Sequence, residues 1–326
     1  MEVLRCEGVL IKPCAGKDHR EFVELSNLDL IASPIYNKVV YVFEAPTPSS
    51  KVLKEGLAKV LAEFREWAGR YTKDTPSGCL GINLNDEGVL VIEGEADGTI
   101  ADAMPFHPSA FLLKLVPPTS TVVINELLLM QKLKSKVNGS DKSRKPYTTF
   151  EILVAYIWKC ITEARGLDGD VQTKASISVD GRKRLNPPLP KEFFGNAVYD
   201  SSAQTSASEI INNPLEFTAH LIHKSIAKVD DNFIRSAIDF FELRMQSLGP
   251  SKDNDGIDVI ATSWMNFPTH NFHFGMGEPV YVGPSLMLIE GLIILFDSYT
   301  NVGGVEVVVC LSKEHMIQLE HYCFQV

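Results

Sequence analysis

Helix-like and strand-like patterns alternate irregularly along this chain, and that alternation limits its fold more than any other feature. Runs rich in β-branched and aromatic residues, bounded by proline or glycine, predict strands. These runs cover residues 38–43, 81–83, 89–93, 111–116, 175–179, 286–296 and 305–311. Helical patterns lie between them, so we expect an α/β fold with mixed sheets. The pattern changes after Pro117-Pro118, which places a domain boundary between residues 1–120 and residues 121–326.

Two stretches have the clearest helical patterns. Apolar residues recur every three or four positions from Leu53 to Tyr71, and Ser49 or Ser50 can cap that helix. The capping box Thr148-x-x-Glu151 opens a second helix that runs through Ala164 and ends at Gly166. Its predicted inward residues are Phe150, Leu153, Val154, Ile157, Trp158 and Ile161. Other helices are predicted at residues 127–137, 215–229 and 231–245, with a short last helix capped by Ser312.

Composition excludes several classes of protein. The net charge of −10 opposes phosphate backbones and anionic lipid, so nucleic acid and membrane surfaces are disfavoured as partners. The six cysteines lack Cys-x-x-Cys spacing and nearby histidines, which disfavours zinc and fits a reduced, cytoplasmic protein. No basic-then-apolar signal pattern opens the sequence, and the most apolar run, residues 285–296, is too short to span a bilayer. We therefore expect a cytoplasmic monomer with no bound metal and no permanently bound cofactor.

Residues 263–284 are the stretch richest in candidate functional residues. Gly275 and Gly277 flank Met276, which favours a structural turn; a phosphate-binding loop is the alternative, but no helical pattern follows directly. His270 and His273 can act as a general base or share a metal ion. Neither has a carboxylate at close sequence spacing, so ordinary loop histidines are favoured.

A charged cluster follows the strand at residues 175–179. Arg182 or Arg184 can bind an anionic cofactor such as a phosphorylated nucleotide, whereas Asp180 can instead pair with either arginine and fix the turn. We weigh the structural alternative slightly higher. The basic residues 142–145 indicate a solvated loop, with coenzyme phosphates as the less favoured interpretation. The sequence contains no Gly-x-Ser-x-Gly nucleophile elbow.

Five segments occur in a distinctive order. They are Leu25-Ser26-Asn27-Leu28-Asp29, the helix containing Phe64-Arg65-Glu66-Trp67, the run from Tyr147-Thr148-Thr149 to Leu167, the run from Ser178 through Asp180, Arg182, Arg184 and Pro187-Pro188-Leu189-Pro190 to Phe194-Gly195-Asn196, and His273-Phe274-Gly275-Met276-Gly277. Together they resemble the motifs of BAHD acyltransferases, plant enzymes of secondary metabolism that move acyl groups from coenzyme A to alcohols or amines. The last segment is similar to the family's Asp-Phe-Gly-Trp-Gly motif. The helix most resembles that of agmatine and tryptamine hydroxycinnamoyltransferases.

The resemblance implies a two-domain, chloramphenicol-acetyltransferase-like fold with acyl-CoA and acceptor meeting in a channel between the domains. In that family the histidine of His-x-x-x-Asp-Gly removes the acceptor's proton. Carried over by motif, residues His273, Phe274, Gly275, Met276 and Gly277 form a structural motif, and Asp180 is structural. Thr148, Thr149, Arg182 and Arg184 are candidate coenzyme contacts, and Trp264 and Asn266 are candidates for the acceptor pocket.

The chain departs from the family where the chemistry is expected. None of its eight histidines is followed by aspartate four positions later, so no catalytic residue can be assigned from the motif. The family's segment that holds this motif is missing, and residues 117–121 look like a join across the gap, which leaves the first domain incomplete. His273 and Met276 replace the motif's Asp and Trp. Asn266 stands where shikimate-acting enzymes have an arginine, so an amine or a neutral alcohol is favoured over a carboxylate-bearing acceptor.

Three functions stay open at this point. The chain is an acyltransferase that moves a hydroxycinnamoyl or similar group to an amine or alcohol, a catalytically silent relative that keeps coenzyme or partner binding, or a truncated product without a stable role. Loss of a general base typically lowers a rate by about 10²–10⁴-fold, and loss of the surrounding strands removes substrate positioning as well. Activity therefore depends on whether another group accepts the proton.

Overall fold

A computed structural model describes most of the chain. The described residues are 3–5, 8–14, 22–31, 39–73, 80–103, 121–124, 146–244, 257–284, 287, 289–298 and 303–323. The strand predicted at residues 111–116, the helix predicted at 127–137 and the loop predicted at 138–145 lie outside them.

The first part of the chain forms small antiparallel sheets. Its strands are β1 (Val3–Arg5), β2 (Val9–Ile11), β3 (Phe22–Glu24), β4 (Val39–Val42), β5 (Arg70–Thr72), β6 (Gly81–Asn83), β7 (Val89–Val91) and β8 (Gly94–Ala96). Strand β1 pairs with β8, β2 pairs with β7, and β6 lies between β3 and β5. Two α-helices, α1 (Asn27–Ile31) and α2 (Ser50–Glu63), and two 3₁₀ helices (Arg65–Ala68 and Ile100–Ala103) complete this part within the described residues.

The second part is built on one mixed sheet. Its strands are β9 (Thr121–Ile124), β10 (Gln172–Asp180), β11 (Val198–Ser206), β12 (Val259–Ser263), β13 (Tyr281–Pro284), β14 (Leu292–Asp297) and β15 (Val305–Cys310). Six of them form a sheet in the order β11-β10-β12-β14-β15-β9, in which β10, β12 and β14 run parallel and the other pairs run antiparallel. The helices are α3 (Thr149–Ala164), α4 (Ala207–Asn212), α5 (Leu215–Ala227), α6 (Asp231–Arg244) and α7 (Lys313–Cys323), with a 3₁₀ helix at Pro268–Asn271.

Helix α3 is the centre of the core. Thr148 accepts the Glu151 backbone N–H, and the Glu151 carboxylate accepts the Thr148 backbone N–H at 2.6 Å, so the predicted capping box is present. Trp158 is fully buried and donates its indole N–H to Thr173 Oγ1 at 3.1 Å. Gly166 follows the helix with φ +58°, as the predicted glycine stop requires. The helix packs against α5 and α7, and its predicted inward residues are buried except Phe150, which is half-buried.

One strand pair joins the two parts. Strand β4 lies antiparallel to β13, with Val42 opposite Tyr281 and Val39 opposite Pro284. The backbone of the first part is therefore hydrogen-bonded directly to that of the second.

The predicted helix over Leu53–Tyr71 is wrong in its extent. Helix α2 ends at Glu63 because Phe64 leaves helical dihedrals, and a 3₁₀ helix and then β5 follow. A 3₁₀ turn also repeats every three residues, so it continues the same apolar spacing without being an α-helix. Most of the predicted apolar face is exposed: Trp67 is 67% and Tyr71 is 74% accessible.

The strand predicted at residues 286–296 also needs correction. Strand β14 begins only at Leu292, after a turn at Glu290-Gly291, where Gly291 has φ +82° and a Cβ would lie 2.3 Å from the Asp258 carbonyl oxygen. Strand β11 was not predicted at all. Its buried face consists of Tyr199, Ser201, Ala203 and Thr205, so the alternation does not show as a hydrophobic pattern.

Candidate functional site

The predicted acceptor residues lie just past the end of β12. The Trp264 backbone N–H donates to the Leu295 carbonyl oxygen at 2.7 Å, and the half-buried indole packs beside a core cluster containing Met287, Ile294 and Phe296. Asn266 is exposed with φ +63°, and its backbone N–H donates to the Asp297 carboxylate at 2.8 Å. A carboxylate thus lies one hydrogen bond from the position where shikimate-acting relatives are expected to have an arginine.

The segment from His273 to Gly277 is a tight exposed turn. Phe274, Gly275 and Gly277 have φ of +42°, +78° and +89°, and the His273 carbonyl oxygen accepts the Met276 N–H. A Cβ on either glycine would meet no atom within 4 Å, so these glycines serve the dihedral angles and not a close approach. The segment leads into β13, and the Phe274 ring meets Phe43 edge to face at 5.9 Å. This geometry favours the structural turn.

Among the described residues, His273 has no acidic partner. His273 is exposed, and the side chain of His270 lies outside the described part of the structure.

Asp180 and Arg182 fix the turn after β10. Asp180 Oδ1 accepts the Arg182 backbone N–H and its guanidinium Nη1, both at 3.1 Å, and Arg182 Nη2 donates to the Gly195 carbonyl oxygen at 2.9 Å. Arg184 Nη1 donates to the carbonyl oxygens of Ile226 and Val229 at 2.9 and 2.8 Å, at the end of α5. Both arginines therefore hold backbone groups, which supports the structural alternative.

The start of α3 carries a group of ionisable residues that sequence reasoning missed. His223 Nδ1 lies 2.8 Å from Glu151 Oε1; Glu151 is buried, and the imidazole is 42% exposed. One turn away along α5, His220 Nδ1 lies 3.3 Å from the Tyr147 hydroxyl. Thr148, a predicted coenzyme contact, is engaged with the same Glu151 carboxylate at 2.8 Å. Thr149 begins the helix and is half-buried.

The sequence indicates some members of this group of ionisable residues but not the contact between them. Glu151 was identified through its capping box, and His220 and His223 lie three positions apart on a predicted helix, which puts them on one face. Sequence alone does not say that this face of α5 meets the start of α3, because the two segments are about seventy residues apart.

The described residues offer neither a metal-binding cluster nor a membrane-spanning helix. Among the described residues, no cluster of three or more histidine, cysteine, aspartate or glutamate side chains is arranged to hold a metal ion. No helix in those same ranges has the length and apolar character needed to cross a bilayer.

Comparison with protein families gives one match. The model of the Transferase family matches residues 2–131 and 119–324. The two matched segments overlap close to the join predicted at residues 117–121.

Comparison with individual proteins agrees with the family match. Agmatine hydroxycinnamoyltransferase 1 of Oryza sativa subsp. japonica is 27% identical, and the alignment covers 95% of this chain and 94% of that protein. The alignment spans 425 positions, more than the 326 residues here, so it contains long gaps in this chain. This chain is therefore internally shorter than its relative.

Solved structures show the same architecture. The crystal structure of vinorine synthase superposes with a TM-score of 0.73 at 17% identity, covering 97% of this chain and 96% of that one. TRI101 of F. sporotrichioides, solved with coenzyme A and T-2, gives a TM-score of 0.70 at 16% identity, with 92% and 97% covered. These likenesses confirm the expected α/β fold with mixed sheets.

Proposed function

This chain belongs to the Transferase family of BAHD acyltransferases, and from that membership we propose that it transfers a hydroxycinnamoyl or similar acyl group from coenzyme A to an amine or a neutral alcohol. The observation that carries the proposal is the family match, which extends over nearly the whole chain and includes all five ordered motifs. Acyl-CoA is a co-substrate in this proposal.

An amine is the favoured acceptor. Asn266 is neutral, and the Asp297 carboxylate that accepts its backbone N–H adds negative potential beside it. Negative potential stabilises an ammonium group and repels a carboxylate. One of the rice hydroxycinnamoyltransferases that this chain resembles is named for agmatine, a cationic amine.

Coenzyme contacts are proposed at Thr148, Thr149, Arg182 and Arg184. Both side chains are half-buried and already donate to backbone carbonyl oxygens, so either arginine would have to exchange such a bond for a coenzyme phosphate. His273 to Gly277 and Asp180 are proposed to support this part of the fold without touching the reacting atoms.

The chemical step needs a proton acceptor. The acceptor nitrogen or oxygen attacks the thioester carbonyl, the C–S bond breaks, and the acceptor's proton ends on the coenzyme thiolate. The sequence lacks the His-x-x-x-Asp histidine, so a rate about 10²–10⁴-fold below that of intact relatives is expected. Of the described histidines, His223 is oriented by a buried carboxylate and is the best remaining base.

The direct test uses purified full-length chain with p-coumaroyl-CoA and a panel of agmatine, tryptamine and a neutral alcohol. Slow thiol release with formation of the amide is the expected result. Thiol release no faster than in buffer, for every acceptor, would contradict transfer. His223→Ala should lower the residual rate and His220→Ala should not, which separates an oriented base from a nearby histidine.

A second candidate is binding without turnover, which rests only on the absence of a His-x-x-x-Asp histidine from the sequence. In that case calorimetry shows coenzyme A binding to the full chain while thiol release stays at background. Absence of both binding and release would remove both candidates. We also propose that the protein is a cytoplasmic monomer; light scattering checks the oligomeric state and fractionation checks the location.

A further inference from the structure

We propose that a cavity between α1, α6, the loop 185–197 and the start of β11 binds a small amphipathic organic cation, an aromatic ring carrying a primary ammonium group. The cavity has a volume of about 560 Å³ and is lined by residues from the end of β3 and α1, from the loop and the start of β11, and from α6. None of the predicted coenzyme or acceptor residues lines it. The site needs neither coenzyme A nor acyl transfer, so it is independent of the proposed function.

The walls of this cavity are hydrogen-bonded to one another. The Asn196 backbone N–H donates to Asp29 Oδ1 at 2.7 Å, and Asn196 Nδ2 donates to the Leu28 carbonyl oxygen at 2.8 Å. These bonds tie the loop to α1. The side-chain amide of Asn27 donates to the Glu242 carboxylate, which ties α1 to α6.

The other end of the loop is fixed to α6 as well. The Asn186 backbone N–H donates to Asp231 Oδ1 at 2.8 Å, and Arg235 Nη2 donates to the Asn186 carbonyl oxygen at 2.7 Å. All three walls are therefore held in place without a ligand, and a preformed site loses less conformational entropy on binding.

The interior is apolar and partly aromatic. Leu28 and Tyr199 are buried at its base, whereas Phe193 and Ile238 are exposed and Phe241 is half-buried along its sides. Burial raises the pKa of Tyr199, so its hydroxyl stays neutral at physiological pH. An aromatic ring in this space covers apolar surface that water now contacts and can meet Phe193 or Phe241 edge to face.

Charge decides which end group the ligand carries. Among the described residues that line the cavity, Glu24 and Glu242 are acidic and none is lysine, arginine or histidine. The donor that Asn27 offers to Glu242 is a neutral amide, which orients the carboxylate without cancelling its charge. An ammonium group beside Glu242 gains a charge-assisted hydrogen bond, whereas a carboxylate or phosphate there is repelled.

Size limits the ligand to a small molecule. Pockets for small molecules usually measure about 300–1,000 Å³, and this one lies within that range. A single ring with a short alkylammonium arm fits the volume and spans from the apolar sides to the acidic edge.

The test measures binding of 2-phenylethylamine to the full chain by calorimetry, with no coenzyme A present. The neutral analogue 2-phenylethanol and the anionic analogue 3-phenylpropanoate are matched in shape. We expect saturable binding of the amine with a Kd of roughly 1 mM or tighter, at least about tenfold weaker binding of the alcohol, and the weakest binding for the anion.

Three variants locate the site. Glu242→Gln keeps the shape and removes the charge, so it should weaken amine binding about tenfold. Ile238→Arg places a cation in the cavity and should abolish binding. Asp239→Asn, on the same helix but outside the lining, should bind as the unmodified chain does. Thermal unfolding checks that each variant is folded.

Three results would overturn the proposal. They are the absence of saturable amine binding at millimolar concentration, equal binding of the amine and the anion, and unchanged affinity in either Glu242→Gln or Ile238→Arg. Because acyl transfer is measured separately, a failure here leaves the proposed function standing, and the reverse also holds.

Discussion

At the scale of single residues, buried polar side chains hold the second part together. Glu151 bonds Thr148 at the start of α3 and His223 on α5. Arg165 is almost fully buried; it donates to the carbonyl oxygen of Ile257 at 2.7 Å and contacts Glu290 at 3.3 Å. Each of these side chains joins segments that are distant in sequence, so its removal leaves buried partners unsatisfied.

Glu151→Ala should therefore destabilise the fold. It removes the capping-box acceptor and the partner of His223 inside the core, at an expected cost of about 2 kcal/mol in the free energy of unfolding. Glu209→Ala is the matched control, because Glu209 closes a second capping box with Ser206 at the exposed start of α4. The control variant should lose less free energy of unfolding than Glu151→Ala. Urea unfolding midpoints measure both, and equal losses would contradict the role given to burial.

Cysteine labelling provides a residue-level test that depends on pH. Burial first, and then the nearby negative charge of Glu290, raises the pKa of the Cys310 thiol to about 11. At pH 8 only about a thousandth of it is thiolate, the reactive form. Iodoacetamide at pH 8 should label exposed Cys14 and leave Cys310 intact, as peptide mass spectrometry will show, and Cys310 labelling should rise as the pH approaches 11. Equal rates at pH 8 would refute this.

At the scale of elements, the ends of a helix could be predicted from neighbouring residues. Which faces of a helix or strand are buried by distant segments could not. Helix α3 was predicted to the residue because its cap and its glycine stop are set by neighbours within a few positions. Helix α2 was misjudged because periodicity shows that Val60 and Phe64 share a face but not that anything packs on it. Strand β11 was missed because its inward Ser201 and Thr205 look polar in sequence.

In the candidate site too, contacts between near neighbours in sequence were predictable and contacts between distant segments were not. The structural role of Asp180 and the turn at Gly275 follow from short-range geometry and were favoured in advance. The pairing of His223 with Glu151 depends on how α5 packs against α3, and no local pattern indicates it.

The docking of α1 on the loop 185–197 can be tested with Asp29→Ala. This change removes the acceptor of the Asn196 N–H and the cap on Ser26, whose hydroxyl donates to Asp29 Oδ2 at 2.6 Å. We expect faster tryptic cleavage at Arg182 to Lys191 and a loss of about 1–2 kcal/mol in unfolding free energy. Asp239→Ala is the control on the neighbouring helix, and identical digestion of the two variants would count against the docking role.

At the scale of the whole molecule, the two parts differ in how well they cover apolar surface. The second part buries a continuous core around α3. In the first part, Val9, Leu10 and Leu90 on the β2–β7 pair, and Ile92 directly after β7, are about half exposed. Surface of this kind binds hydrophobic dyes and promotes association. The exposed area lies in the part that the sequence predicts to be incomplete.

Substitutions on α2 test this difference. Val52→Lys with Val60→Lys replaces two side chains that are more than half exposed, so it should lower dye fluorescence and light scattering without lowering the unfolding midpoint. Leu61→Lys is the contrast, because Leu61 is only 2% exposed and a buried ammonium group should cost several kcal/mol. A fall in the midpoint with the double variant would show that this face is covered.

The antiparallel pairing of β4 with β13 has a consequence for further loss of sequence. A deletion that removed residues 1–42 would remove β4 and leave the amide groups of β13 without their backbone partners. Such an edge invites strand addition by another molecule. The first part therefore keeps this strand edge covered, whether or not it takes part in catalysis.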